Sequence, residues 1–386
     1  MSNTLTDLEW VIFAQGLPSL RERAILPRYV YTDYSTEAQQ KGASIRISKP
    51  SLLTTRNVVP GPTIPAAQDA APDVATINLN NWIETTFHLN ADEERRIAAG
   101  TTFVPGMMTS AFRAIGNALN TGIINCFSDV YGFCGTPGTT PFASDLSALA
   151  ALSQTLDTQL CPDENRAFIM SVATRQNALN LAQFTQAQMV GSDEGIAEGR
   201  LGRKLGFTTD WTQTMGSHIA GNASSYVLAQ NYAAGQGTGI DTTSSLTLQS
   251  GSGTFNIGDI ITIGSGGGTG TADTQTYVVT GVPTPNTVIN IQPGLALAHV
   301  TNDTITVKAT HTYNMGFHRE AFALAIRATD PTYMPPGTRT GTMVEPITGI
   351  PVRLDVMDGY EQRIYRVSVL FGYVTMRREY AARLAG

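Results

Sequence analysis

Apolar positions along the 386-residue chain change period several times, and each change predicts a change of element. Residues 5–15 set Leu5, Leu8, Val11 and Ile12 at helical spacing, with Thr6 and Glu9 as a capping box and Gly16-Leu17-Pro18 as the stop. A helix this short is marginal in water and needs a surface to dock on, either its own core or a neighbouring subunit. Ala43–Ser48 then alternates, with Ile45 and Ile47 on one face and Arg46 on the other. A stretch with Pro50, Pro60, Pro62, Pro65 and Pro72 follows, and alternation resumes over residues 74–89 at Ile77, Leu79, Ile83, Phe87 and Leu89. The pattern predicts one long two-stranded arm with a Pro-rich tip. Such an arm is not stable alone, and its apolar face must lie on another surface.

The strongest helical pattern covers residues 105–131, with Pro105 at the first position and Met108, Phe112, Ile115, Leu119, Ile123, Cys126 and Val130 along one face. It predicts a helix roughly 40 Å long. A second helix is expected over Asp145–Leu160, carrying Leu146, Leu149, Leu152, Leu156 and Leu160, with Ser144 as N-cap and Pro162 as terminator. An apolar strand, 167–172, precedes a helix capped by Thr174 and running to about Gln186. Glycines at 191, 195, 199, 202 and 206 open a looser stretch. Residues 240–310 hold five short β runs, at 246–248, 260–263, 276–280, 288–291 and 305–307, as in a small barrel or sandwich. Helix is expected again at Phe317–Arg327, then alternation at 352–356 and 364–376. The fold class expected is α+β, with a β module inserted into an α+β body.

Composition narrows the function. Charged residues are only 15%, against roughly 25% in ordinary soluble domains. Low charge on a surface rich in Thr, Ser, Asn and Gly suggests area that ends against other protein. The net charge of −6 argues against a dedicated nucleic-acid binder, since neutralising phosphates drives that binding. Arg200–Lys204 is the single compact basic cluster and is too small to imply such recognition. Three cysteines without CxxC spacing point to a reducing compartment rather than a disulfide framework. Neither a signal peptide nor a membrane-spanning run is expected.

Candidate catalytic chemistry is thin. Of the five histidines, no two stand at i, i+4, and no HExxH occurs, so neither a metal site nor a cofactor is expected. Gly251-Ser252-Gly253 and Gly264-Ser265-Gly266 lack the GxSxG elbow. Gly264–Gly270 superficially resembles a phosphate cradle but lacks the Lys-Ser/Thr ending and precedes a strand. Cys126 falls on the apolar face of the long helix, where a cysteine acts as a small hydrophobe. Asp92-Glu93-Glu94-Arg95-Arg96 reads as a solvated helix start, with inter-subunit ion pairing as the sharper alternative.

The ordered segments resemble the major capsid proteins of tailed double-stranded-DNA phages and herpesviruses, the Johnson fold. Within it the chain looks most like coat proteins of short-tailed phages that carry an inserted β domain. Ile45–Pro50 with a return strand ending near Leu89–Glu93 is similar to the extended loop. Glu198–Gly202 leading to Lys204–Phe207 is similar to the entry to the axial domain, and Gly258–Ile263, Tyr277–Thr280 and Ile289–Pro293 to the inserted module. Asn314–Phe322 resembles the helix after it, and Gly349–Arg353 and Leu370–Gly372 the closing strands. The resemblance covers nearly the whole chain, and its weight lies in the order of the segments.

That resemblance implies an N-terminal arm at 1–40, the extended-loop hairpin at 41–95, a spine helix and peripheral domain at 96–142, and the first part of an axial domain at 143–239. The inserted β domain follows at 240–310, the second axial part at 311–345 and closing peripheral strands at 346–386. It implies self-assembly into hexamers and pentamers of an icosahedral shell around double-stranded DNA held without sequence-specific contacts, inside a virion assembled in the host cytoplasm. The chain would be no enzyme and would touch no membrane. A separate scaffolding protein is expected, because the first hairpin strand begins by Ala43. A portal protein and a decoration protein are the further partners the family offers. Assembly contacts are expected at Leu8, Val11 and Ile12, at Thr54, Arg56, Val58, Val59 and Ile64 of the loop tip, and at Arg95 and Arg96. With only Lys41, Lys49, Lys204 and Lys308 available, covalent lysine–asparagine cross-linking is not expected. Another virion component or a cargo-holding nanocompartment shell is the alternative within the fold; a soluble hydrolase with an unseen site is the remote one.

Overall fold

A computed structural model describes residues 17–20, 24–34, 41–49, 55, 57–58, 73–93, 106–186, 198–199, 201–234, 243–265, 273–285, 287–329, 337–345 and 348–386. The expected helix at 5–15 lies outside them. The strands in chain order begin with β1 (Tyr31–Tyr34), β2 (Ser44–Lys49), β3 (Asp73–Asn78) and β4 (Asn81–Asn90). β2 and β3 form a two-stranded sheet of their own, paired from Ser44 against Asn78 to Lys49 against Asp73.

The predicted return strand is therefore two strands. At Leu79-Asn80 the chain turns, with the Asn80 amide donating to the Asn78 carbonyl (2.9 Å). The alternation carries through this turn, so the period gives no sign of it; only the partner changes. β4 leaves the arm and pairs antiparallel with β20 (Gln362–Thr375), from Asn81 against Phe371 to Asn90 against Gln362. The other surface that the arm's apolar face needs is supplied by its own subunit. Ala75, Ile77 and Leu79, flanked by Ala43, Ile45 and Ile47, pack on Ala323, Ala325, Leu370 and Met376.

α1 (Gly106–Ile124) buries Met108, Phe112, Ile115, Leu119 and Ile123 as the spacing predicted. It ends earlier than expected, in a 3-10 turn over Asn125–Asp129. The sheet beneath it runs β1, β17 (Phe322–Arg327), β20, β19 (Pro351–Gly359), β18 (Arg339–Val344), with β4 on the remaining side of β20. A second sheet runs β5 (Gly132–Gly135), β21 (Ala381–Ala385), β16 (His311–His318), β6 (Arg166–Met170), β8 (Phe207–Trp211), β7 (Arg203–Lys204). β9 (Ser217–His218) pairs with the other end of β16. α2 (Ser147–Thr158), α3 (Val172–Asn180) and α4 (Ala182–Thr185) accompany this sheet; Leu149, Leu152 and Leu156 of α2 and Phe184 of α4 share a core with Phe168 and Phe207.

Phe317–Arg327 is not a helix but the end of β16, a 3-10 turn and β17. All six β17 residues are buried: Phe322, Leu324 and Ile326 join the core shared with α1, while Ala323 and Ala325 meet the arm. A strand covered on both faces loses its alternation and reads as a continuous apolar run. Two caps also differ. Ser171, not Thr174, caps α3, its Oγ accepting from the Thr174 amide (3.3 Å). Asp145, not Ser144, serves the start of α2, its Oδ1 accepting from the Ser147 amide (2.9 Å).

The inserted module is a closed barrel in the order β10 (Val227–Leu228), β11 (Ser244–Gln249), β14 (Val288–Gln292), β13 (Tyr277–Thr284), β12 (Ile260–Gly264), β15 (Thr304–Val307). Its interior holds Leu228, Leu246, Phe255, Ile261, Ile263, Val279, Ile289, Ile291 and Ile305. The five predicted runs are present. The sixth strand, two residues long, closes the ring between β11 and β15 and precedes the stretch whose pattern announced the module.

Candidate functional site

Of the residues expected at assembly contacts, Leu8, Val11, Ile12, Thr54, Arg56, Val59, Ile64, Arg95 and Arg96 lie outside the described residues. Val58 is described and is 90% exposed. Val58 is thus the one member of this set among the described residues, and the surfaces the structure places are the arm and β4.

The arm meets the body through one face only. Ser44, Arg46, Ser48, Val74, Thr76 and Asn78 point outward and are exposed. β4 continues the same arrangement: Trp82, Glu84, Thr86 and His88 are exposed, while Ile83 and Phe87 pack toward the main core. Among the described residues no strand pairs with the outer edge of β4, although it is ten residues long and rich in Thr, Ile, Trp and Phe. Monomeric proteins ordinarily blunt such an edge with charges, prolines or bulges, because its free N–H and C=O groups template another strand. Sequence reasoning placed this segment in the arm and so missed it as an edge. The signal that finds it is the register with β20, which no local pattern encodes.

β4 is held in place by charge as well as by pairing. Arg353 on β19 and Arg366 on β20 share one carboxylate, Asp355, which is fully buried. Arg353 Nε donates to Asp355 Oδ1 (2.7 Å), and its Nη1 to the Thr329 carbonyl (2.8 Å) and hydroxyl (2.9 Å). Arg366 Nη2 donates to Asp355 Oδ2 (2.7 Å), and its Nη1 lies 3.5 Å from Glu84 on β4. The chain of contacts locks three neighbouring strands in one register.

Two histidine–carboxylate groups are enclosed. His218 Nε2 lies 2.8 Å from Asp259 Oδ1. His299 Nδ1 lies 3.2 Å from Asp303 Oδ2, and its Nε2 lies 3.5 Å from Asp273 Oδ2. Each of these groups is about 5% exposed or less, so the pairs fasten loops rather than face a substrate. Burial pushes the Cys126 and Cys134 thiols up to about 12 and that of Cys161 to about 11, keeping all three protonated and weakly nucleophilic at neutral pH. Among the described residues no three His, Cys, Asp or Glu side chains converge as a metal site would need. No helix among them is long and apolar enough to cross a membrane.

The sequence matches no family profile and no curated protein. Solved structures align with most of the chain. One titled "Mycobacterium phage Che8" aligns with a TM-score of 0.45 at 10% identity, covering 89% of this chain and 84% of that one. "Capsid structure of the Cyanophage P-SCSP1u" aligns at 0.44 and 11% identity over 94% and 88% of the two chains. "Asymmetric unit of bacteriophage PhiM1 mature capsid" aligns at 0.44 and 9% identity over 93% and 86%.

Proposed function

We propose that this chain is the major capsid subunit of a tailed phage, a non-catalytic protein whose work is assembly. The observation that supports it best is the run from Ser44 to Asn90: an arm fastened by one face, then a ten-residue strand with an uncovered edge. Both are surfaces that a neighbouring copy completes, and closed symmetry repeats such a contact around the whole shell. The order of elements supports the same reading. Arm, long helix, second sheet, spliced barrel and returning strands succeed one another along the chain.

In this reading the copies form hexamers and pentamers of an icosahedral shell, on a separate scaffolding protein and around a portal, inside the host cytoplasm. A decoration protein is a further partner. Double-stranded DNA is enclosed rather than read. The contacts at Leu8, Val11, Ile12, Thr54, Arg56, Val58, Val59, Ile64, Arg95 and Arg96 are proposed to lie between copies.

Negative-stain electron microscopy of the purified protein, with its mass by size exclusion, tests the proposal. Closed uniform shells or capsomer rings are expected, alone or after addition of crude phage lysate as a source of scaffold. A monodisperse monomer under both conditions would overturn it.

A further inference from the structure

The barrel and the body meet at a joint built around two histidines. The chain leaves the second sheet at His218 on β9 and returns at His311 on β16, and these two histidines are direct cross-strand partners. Their rings lie 5.7 Å apart, centroid to centroid. From the barrel, Asp259 receives His218 Nε2 and also accepts from the amides of Gly221 (3.1 Å) and Asn256 (2.8 Å). From the body, Arg383 on β21 reaches up to the Gly258 carbonyl (2.8 Å). Its guanidinium lies over the Phe127 ring, 5.0 Å from the centroid. Phe127 in turn stacks on Tyr313, and Phe133 meets His311 edge-on at 5.1 Å. Beside these contacts Tyr131, Ile260 and Val278 pack with Phe133, and the Thr276 hydroxyl donates to the Tyr131 carbonyl (2.7 Å).

The joint already holds one buried cation. Arg383 is fully buried, and its Nε and Nη2 have no hydrogen-bond partner among the described residues. Two carboxylates face it, Asp259 from the barrel and Asp129 from the turn after α1. The Arg383 guanidinium is the cation they face. A proton on His311 places a second positive charge beside it. The geometry says where that proton would go: His311 Nδ1 donates to the Ala309 carbonyl (2.8 Å), leaving Nε2 as a buried acceptor without a partner. Protonation at Nε2 creates an unpaired N–H and a buried positive charge beside a guanidinium, each of which is costly in a low-dielectric site. The groups facing His311 are Arg383, His218 and Asp259, with the Phe133 ring at its edge.

We propose that this joint is a proton-operated latch: with His311 neutral it holds the barrel at a fixed angle to the body, and a proton on His311 releases it while both parts stay folded. Burial, the largest cause, and then Arg383 and His218 hold His311 below the ordinary imidazole range, while the bond to Ala309 works the other way. The sign follows. The released state binds the proton more readily than the docked one, so docking weakens as pH falls. Release grows about tenfold per pH unit between the ordinary histidine value of about 6.5 and the lower value of the docked state.

Hydrogen exchange of the full-length protein, followed by mass spectrometry at pH 7.5 and 5.5 and corrected for intrinsic rates, tests the latch. Peptides over 217–221, 257–260 and 309–313 are expected to lose protection by up to about tenfold at the lower pH, the ceiling for a single proton, while β17 and β20 keep theirs. In His311→Gln the loss should vanish. Equal protection of the joint at both pH values, or a loss that persists in His311→Gln, would overturn the proposal. Should that variant fail to fold, NMR of wild-type protein with 13C-labelled histidine decides. One imidazole titrating below the others, in step with the onset of exchange, supports the latch; titration out of step with it refutes it.

Discussion

Two residues show how little slack the subunit has. Gly372 lies where β20 passes beneath the arm, and a Cβ there would sit 2.3 Å from the Asn78 carbonyl oxygen and 2.9 Å from Ile77 Cγ2. The obstacle is backbone already committed to pairing with Ser44, so it cannot swing aside as a flexible side chain would. Gly372→Ala should therefore cost about 1–3 kcal/mol, read as a lower urea midpoint, and should expose the arm to protease before the rest of the fold. Asp355 is the opposite case, one buried carboxylate serving two arginines. Asp355→Ala leaves Arg353 without its carboxylate in the interior and is expected to cost about 3–5 kcal/mol by the same measurement. A loss within about 0.5 kcal/mol would mean that the arginines find other acceptors.

Among the elements, the barrel gives the sharpest expectation. β10 supplies only Val227 and Leu228, yet it bridges β11 and β15 and so closes the ring. A fragment of residues 240–310 lacks it and should give a poorly dispersed amide NMR spectrum, whereas residues 221–310 should give a dispersed one. Equal spectra would show that closure is dispensable. The same strand marks where sequence reading stops. α1, α2, β2 and five barrel strands announce themselves, because each buries one face and so keeps a period of 3.6 or 2. β10 is too short to have a period, and β17 is buried on both faces and has none. β3 and β4 share an unbroken alternation that conceals a change of partner. The cross-strand histidine pair, the shared Asp355 and the open edge of β4 depend on pairing between segments far apart in the chain. Individual residues name the chemistry available there but not which residues meet.

At the scale of the whole molecule, the arm's seat on its own body separates folding from assembly. Deleting Thr54–Ala71 leaves residues 50–53 and 72 to join β2 to β3, and the base of the arm keeps its contacts. The shortened protein is expected to remain soluble, with an unchanged urea midpoint, yet to form few particles by negative stain; normal particle yield would move the essential contacts elsewhere. The barrel's attachment has a different consequence. Its two ends form a single rung of one ladder, so the body sees a chain that departs and comes home at a single step, whatever is carried between. Any passenger with neighbouring termini, even a plain turn, could occupy that position without altering the two sheets. Arg383 is the exception. It belongs to the body, but its guanidinium donates to the passenger's Gly258 carbonyl. A version of this subunit travelling without the barrel would be left with a stranded buried cation, and would need a different residue at 383.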